Sequence, residues 1–138
     1  MLPKKILLAE DDVDDRSFFL NFLNNRKDIS AISTVENGEE VFTFLATIEE
    51  AAQLPHVIIL DQNMPKRNGL QTLQMLKKNS AYQRIPVFMY STYADENLAK
   101  QSLESGARLV LAKPFSPDGY HQMIDAVFDA LRGETKNL

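Results

Sequence analysis

Asp61 closes an apolar run, His56-Val57-Ile58-Ile59-Leu60, and opens the polar segment Gln62-Asn63-Met64-Pro65-Lys66-Arg67-Asn68-Gly69. Three uses are open to a lone carboxylate in that place: nucleophile, metal ligand, or turn-former ahead of Pro65. A second acidic group follows the first apolar run of the chain. Glu10, Asp11, Asp12, Asp14 and Asp15 put five carboxylates into six positions. Such a cluster repels itself, and a hard divalent cation such as Mg²⁺, which takes oxygen ligands, relieves the repulsion. A helix N-terminus also attracts acids, through capping and the macrodipole. That accounts for Asp12, Asp14 and Asp15 and leaves Glu10 and Asp11 as the end of a strand. Ser91 and Thr92 end another apolar run; their hydroxyls can hold an oxyanion or cap a helix beginning near Ala94. Lys113 stands before Pro114, which restricts it to extended backbone and so aims its ammonium.

These groups need elements to position them. Short apolar runs alternate with stretches of helical period along the whole chain. Strands are expected at 5–9, 29–35, 56–60, 86–91 and 108–112, and helices at 13–24, 38–47, 69–78, 94–105 and 117–131. Residues 48–55 read as loop or a frayed helix end. Phe19, Phe22 and Leu23 mark the buried face of the first helix; Val41, Phe44 and Leu45 that of the second; Leu70, Leu73 and Leu76 that of the third. The fourth helix has a thin face, mainly Leu98 and Leu103. The fifth is the cleanest, with Tyr120, Met123, Ile124, Val127, Phe128 and Leu131 at i, i+3, i+4, i+7 spacing, and Gly133 is expected to end it. Strands without polar alternation are buried on both faces, which means a parallel sheet covered by helices. The expected fold is therefore α/β, a flavodoxin-like three-layer sandwich with a five-stranded parallel sheet in the order 2-1-3-4-5 and five helices. In that order the first and third strands are neighbours, and Glu10, Asp11 and Asp61 meet at the topological switch point. Two acids, a third acid, a hydroxyl and an ammonium at one sheet edge form a set suited to phosphoryl chemistry.

Composition agrees with a globular unit. The chain has 138 residues, 44% hydrophobic and 25% charged, near the average for folded domains. Without cysteine there is no disulfide framework and no thiolate chemistry. A net charge of −4 argues against nucleic-acid binding through bulk positive charge. No apolar stretch approaches the length of a membrane span, and 6–9 is too short for a signal-peptide core. The expectation is a cytoplasmic protein with one domain over 1–133 and a polar C-terminal tail over 134–138.

Four motifs, in order and at matching spacing, make the chain resemble the response-regulator receiver domain of two-component signalling. They are Leu8-Ala9-Glu10-Asp11-Asp12, then Asp61-x-x-Met64-Pro65-x-x-x-Gly69, then Pro86-Val87-Phe88-Met89-Tyr90-Ser91, and finally Gly106-Ala107 followed by Lys113-Pro114-Phe115. The similarity covers essentially the whole chain and is of the stand-alone, chemotaxis-regulator-like kind. It implies that Asp61 accepts a phosphoryl group from the phosphohistidine of a histidine kinase or a histidine phosphotransfer protein. It implies Mg²⁺ held by Glu10, Asp11, Asp61 and the backbone carbonyl of Asn63, with Ser91 and Lys113 on the phosphoryl oxygens and a cis Lys113–Pro114 bond. Tyr93 and Thr92 then lie where access of water to the acyl phosphate is tuned. Output would pass to a downstream target protein by protein–protein contact, with no nucleic acid, membrane or enzymatic turnover of an external substrate involved. Two positions depart from the family pattern: the switch hydroxyl is Ser91 where Thr is commoner, and Val110 stands where relatives carry Tyr or Phe. Val110 cannot perform the aromatic rotation that relays the signal outward.

Other readings compete on specific residues. A phosphatase of the haloacid-dehalogenase type also uses an Asp nucleophile and Mg²⁺, but needs an acid two residues later, where Asn63 stands. A flavodoxin-like FMN carrier needs a hydroxyl- and Gly-rich loop after the first strand, where five acids stand. A receiver-like module that is never phosphorylated fits Val110 but not the complete acid–hydroxyl–lysine set.

Overall fold

The computed structural model describes residues 2–92 and 95–136. Five parallel strands, β1 (Lys4–Ala9), β2 (Ile29–Val35), β3 (Val57–Asp61), β4 (Val87–Ser91) and β5 (Val110–Ala112), lie in the order β2-β1-β3-β4-β5. They alternate with α1 (Val13–Leu23), α2 (Gly38–Ala46), α3 (Gly69–Lys78), α4 (Glu96–Glu104) and α5 (Pro117–Lys136). The expected sandwich and strand order are those observed. The stretch between α2 and β3 holds a short 3₁₀ turn at Ala51–Gln53.

Strand alternation builds two cores from one sheet. Leu7, Ala9, Ile58, Leu60, Val87 and Met89 face one side and pack with Val41, Leu45, Leu73 and Leu76 of α2 and α3. Ile6, Leu8, Val57, Ile59, Phe88 and Tyr90 face the other and pack with Phe19, Leu23, Tyr120, Ile124, Val127 and Phe128 of α1 and α5. The register pairs Ala9 with Leu60 and Asp61 with Tyr90. One step beyond these pairs, Glu10 lies beside Asp61, and the same parity turns Glu10, Asp61 and Tyr90 to the α1/α5 side.

Local chemistry sets the ends that matter. Asp12 caps α1 by accepting the Asp15 amide at 2.9 Å, and Asp14 and Asp15 occupy its first turn, so the helix-start role expected of these acids is observed. Asn68 and Gln71 form a reciprocal capping box at α3. Gly69 is required there: a Cβ would stand 2.5 Å from the Asp61 carbonyl oxygen and 2.7 Å from Cε of Met89.

Several boundaries differ from expectation. Asp95, not Ser91 or Thr92, caps α4, accepting the Leu98 amide at 2.6 Å. Leu98 and Ser102 are the buried residues of α4, whereas Leu103 is 50% exposed. Gly133 lies inside α5 rather than ending it, since it lacks the left-handed backbone of a C-cap. A helix tolerates such a glycine at a cost of about 1 kcal/mol. Among the described residues no peptide bond is cis, so Lys113–Pro114 is trans. Trans is the lower-energy isomer by about 0.5–1 kcal/mol before proline, and Phe115, fully exposed, supplies no packing on that side to favour the other.

Candidate functional site

The carboxyl ends of β1 and β3 converge on three acids. Ligand oxygens of Glu10, Asp11 and Asp61 all lie within 4.8 Å of one another, with Glu10 and Asp61 buried and Asp11 exposed at the rim. Lys113 enters from the end of β5 and answers their charge. Its Nζ lies 2.7 Å from Oε1 of Glu10, 3.3 Å from Oδ2 of Asp61 and 3.0 Å from Oδ2 of Asp15. The aim of Lys113 comes from its backbone, whose amide donates to the Ser91 carbonyl at 3.1 Å. Ser91 is itself buried at the end of β4. Ser91 and Asn63 border one cleft, and Asn63 and Asp11 border another.

The two buried acids are held by identifiable donors. The Asn63 amide donates to Oδ1 of Asp61 at 3.4 Å. Glu10 takes the Asp12 amide on Oε2 at 3.2 Å and the Tyr90 hydroxyl on Oε1 at 2.6 Å. The main chain of Glu10 is fixed as well: its amide donates to the Val35 carbonyl, and its carbonyl accepts Nη1 of Arg16 at 2.8 Å. The loop after Asp61 is closed by Gln62, whose main-chain and side-chain oxygens accept the Gly69 and Leu70 amides.

Electrostatics reflect the crowding. Burial, then the neighbouring Glu10, pushes the Asp61 carboxyl up to about 7. Burial alone would raise Glu10 too, but hydrogen bonds from Asp61, Lys113 and Tyr90 outweigh it and hold Glu10 below the usual range. Of the two, Asp61 is the carboxyl whose protonated form the site favours. Burial disfavours the charged form of Lys113, yet Glu10, Asp15 and Asp61 hold it above the ordinary lysine value. The clustered acids with one shared ammonium suit an oxygen-seeking divalent cation, which would take up the repulsion that now raises Asp61.

Of the residues singled out from sequence, Glu10, Asp11, Asp61 and Lys113 are brought together directly. Ser91 and Asn63 border the site through clefts, and Thr92 is exposed at the end of β4. Tyr93 lies outside the described residues. Val110 is half-buried, opposite Met89, and packs toward the α2/α3 core, away from the acids. Asp15, expected only at the helix start, and Tyr90, given no role in the site from sequence, are the further contributors. Strand parity held the signal for Tyr90, since it faces the same side as Glu10 once β1 and β3 are known to be neighbours.

A sequence model described as "Response regulator receiver domain" matches residues 6–125. The chain is 30% identical over 130 residues to the probable chemotaxis protein CheY of Rhizobium etli, covering 93% of this chain and 95% of that one. It spans about half the length of other curated relatives that it matches. Among solved structures it is similar to the phosphorylated cyanobacterial phytochrome response regulator RcpA, with a TM-score of 0.77, 28% identity and 91% of each chain covered. It is similar to the Mn²⁺-bound response regulator Rcp1, with a TM-score of 0.75 at the same identity and coverage.

Proposed function

The chain belongs to the response regulator receiver domain family, a family of phosphoacceptor signalling modules rather than classical enzymes, and from that premise we propose that Asp61 is its phosphoacceptor. One observation carries the proposal: a buried carboxylate at a strand end, with two further acids within 4.8 Å and a lysine ammonium at 3.3 Å. An Asp61 oxygen attacks the phosphorus of a phosphohistidine, the P–N bond breaks, the imidazole leaves with its electron pair, and an acyl phosphate remains on Asp61. The donor is a histidine kinase or a histidine phosphotransfer protein.

Glu10, Asp11, Asp61 and the Asn63 carbonyl would hold Mg²⁺, which when bound neutralises charge on phosphoryl oxygens. The chain's own groups do the rest. Lys113, already within reach of Asp61, pairs with the new charge, and the Ser91 hydroxyl donates to a phosphoryl oxygen. Thr92 and Tyr93 shape the approach of water, and a bulky Tyr93 slows hydrolysis. Phosphorylation adds roughly −1.5 to −2 charge at one point. The response is read by a downstream target protein in the cytoplasm through direct contact.

Incubation with acetyl phosphate and Mg²⁺ tests the assignment. The parent chain gains one acid-stable, base-labile phosphoryl group, and Asp61→Asn gains none while keeping its fold by circular dichroism. Persistent labelling of Asp61→Asn rejects Asp61 as the acceptor.

A further inference from the structure

Resting on the phosphoacceptor reading, we propose that Tyr90 is a positioning residue for the cation site, holding the Glu10 carboxylate in its ligand orientation through the phenol hydroxyl. Tyr90 lies fully buried below the site, on β4, two strands away from β1. Its hydroxyl donates to Oε1 of Glu10 at 2.6 Å, the short distance of a charge-assisted hydrogen bond. Glu10 has no exposure of its own, so water does not steady its oxygens. Its carboxylate takes the Asp12 amide on Oε2 and Lys113 and Tyr90 on Oε1, and it meets the Asp61 carboxyl as well.

Those donors are not equivalent. Lys113 is divided among Glu10, Asp15 and Asp61, and it is the group that must turn toward a phosphoryl oxygen. Its ammonium also stands 5.1 Å above the Tyr90 ring, a cation–π distance. Tyr90 therefore touches both the ligand carboxylate and the cation that departs from it. When Lys113 turns away, the phenol keeps Oε1 satisfied and the carboxylate in place. A buried carboxylate stripped of a donor would otherwise reorient or take up a proton. The ring is buried in the same core cluster as Phe19, Phe88 and Tyr120, so the hydroxyl is presented from a packed interior. Outer partners of this kind typically change metal affinity by about 10- to 100-fold when removed.

Tyr90→Phe keeps the ring and deletes the hydroxyl. Calorimetric titration of the full chain with Mg²⁺ should give a Kd raised by about tenfold. In acetyl-phosphate labelling, the Mg²⁺ concentration for half-maximal rate should rise by the same factor, with the rate at saturating Mg²⁺ within twofold of the parent. A purely structural role would lower thermal stability without moving the Mg²⁺ midpoint. In a Glu10→Gln background, Tyr90→Phe should cause no further loss of affinity, because the hydroxyl acts through that carboxylate. A readout on the chain with Tyr90 intact does not depend on Tyr90→Phe folding. With ¹³Cζ-tyrosine, the Tyr90 signal, assigned by replacing the other tyrosines singly, should shift with the calorimetric midpoint. An unchanged Mg²⁺ midpoint in Tyr90→Phe, or a silent Tyr90 signal, overturns the inference while leaving Asp61 labelling intact. A parent chain that neither binds Mg²⁺ nor labels on Asp61 overturns the phosphoacceptor reading and this inference together.

Discussion

The carboxyl ends of β1 and β3 and the margin formed by α4 and β5 are built to opposite specifications. At the first, the two buried acids are tied: Glu10 by Lys113, Tyr90 and the Asp12 amide, and Asp61 by Lys113 and the Asn63 amide. The strands beneath are buried along their length, and the helices beside them fill both cores with large side chains. At the second, β5 has three residues, two half-buried and one exposed. Only Leu98 and Ser102 of α4 are buried, and the Ser102 hydroxyl has no hydrogen-bond partner among the described residues. Chemistry demands fixed atoms, and a switch demands an element whose displacement is cheap. Ser91 and Lys113 join the two regions, because they leave β4 and β5 and end at the acids.

The largest test of this contrast removes the shared cation. Lys113→Met leaves Glu10, Asp15 and Asp61 without their ammonium, and the Mg²⁺-free chain should lose about 2–4 kcal/mol at pH 8 in urea unfolding. A loss below about 1 kcal/mol would mean that the acidic end is less constrained than its geometry implies.

Core truncation compares the regions directly. Leu73→Ala in α3, fully buried in its core, should cost about 3 kcal/mol, and Leu98→Ala in α4 about half of that. Equal costs would erase the distinction in anchoring.

Next comes pH. The folded value of Asp61 is about 7, against 3.8 for an unburied Asp. Between those values the folded chain holds the extra proton, so this group's contribution to stability declines as pH rises from about 4 to 7 and is level above that. Glu10, held low, works in the opposite direction, so the measurement must isolate Asp61. Asp61→Asn removes the penalty. In EDTA it should be more stable than the parent by on the order of 2 kcal/mol at pH 8, with the gap closing as pH falls toward 4. Mg²⁺ should narrow the gap at pH 8 by stabilising the parent. A gap that widens on acidification would contradict the sign.

The smallest effect is the one that bears on signalling. With beryllofluoride and Mg²⁺ as a phosphoryl mimic, amide exchange should change in α4, over Glu96–Glu104, and not in the buried centre of β1. Unchanged exchange in α4 would move the search for the mobile element elsewhere. Val110, at β5, packs toward the α2/α3 core and carries no ring to swing.

What could be read from the chain follows from local rules. Alternating apolar runs and helical periods fixed the order of elements, because burial on both faces leaves strands such as Val57–Asp61 without polar positions. The spacing of Glu10, Asp11, Asp61, Ser91 and Lys113 indicated the site, because strand ends in a parallel sheet share one edge. Two expectations that failed concern helix ends, where competing local arrangements differ by little energy. Gly133 stays helical because nothing at that point forces a left-handed turn. Asp95 caps α4 because its carboxylate reaches the Leu98 amide where the hydroxyls of the strand end do not.

The sequence by itself determined which groups would meet, since residue type and strand order follow from local burial. Only the tertiary structure decided how they are shared. The raised Asp61 beside the lowered Glu10, the division of Lys113 among three carboxylates, and the Tyr90 hydroxyl under Glu10 all depend on distances across four neighbouring strands. Charge interactions and hydrogen bonds change within a few tenths of an ångström, a resolution that hydrophobic pattern does not carry.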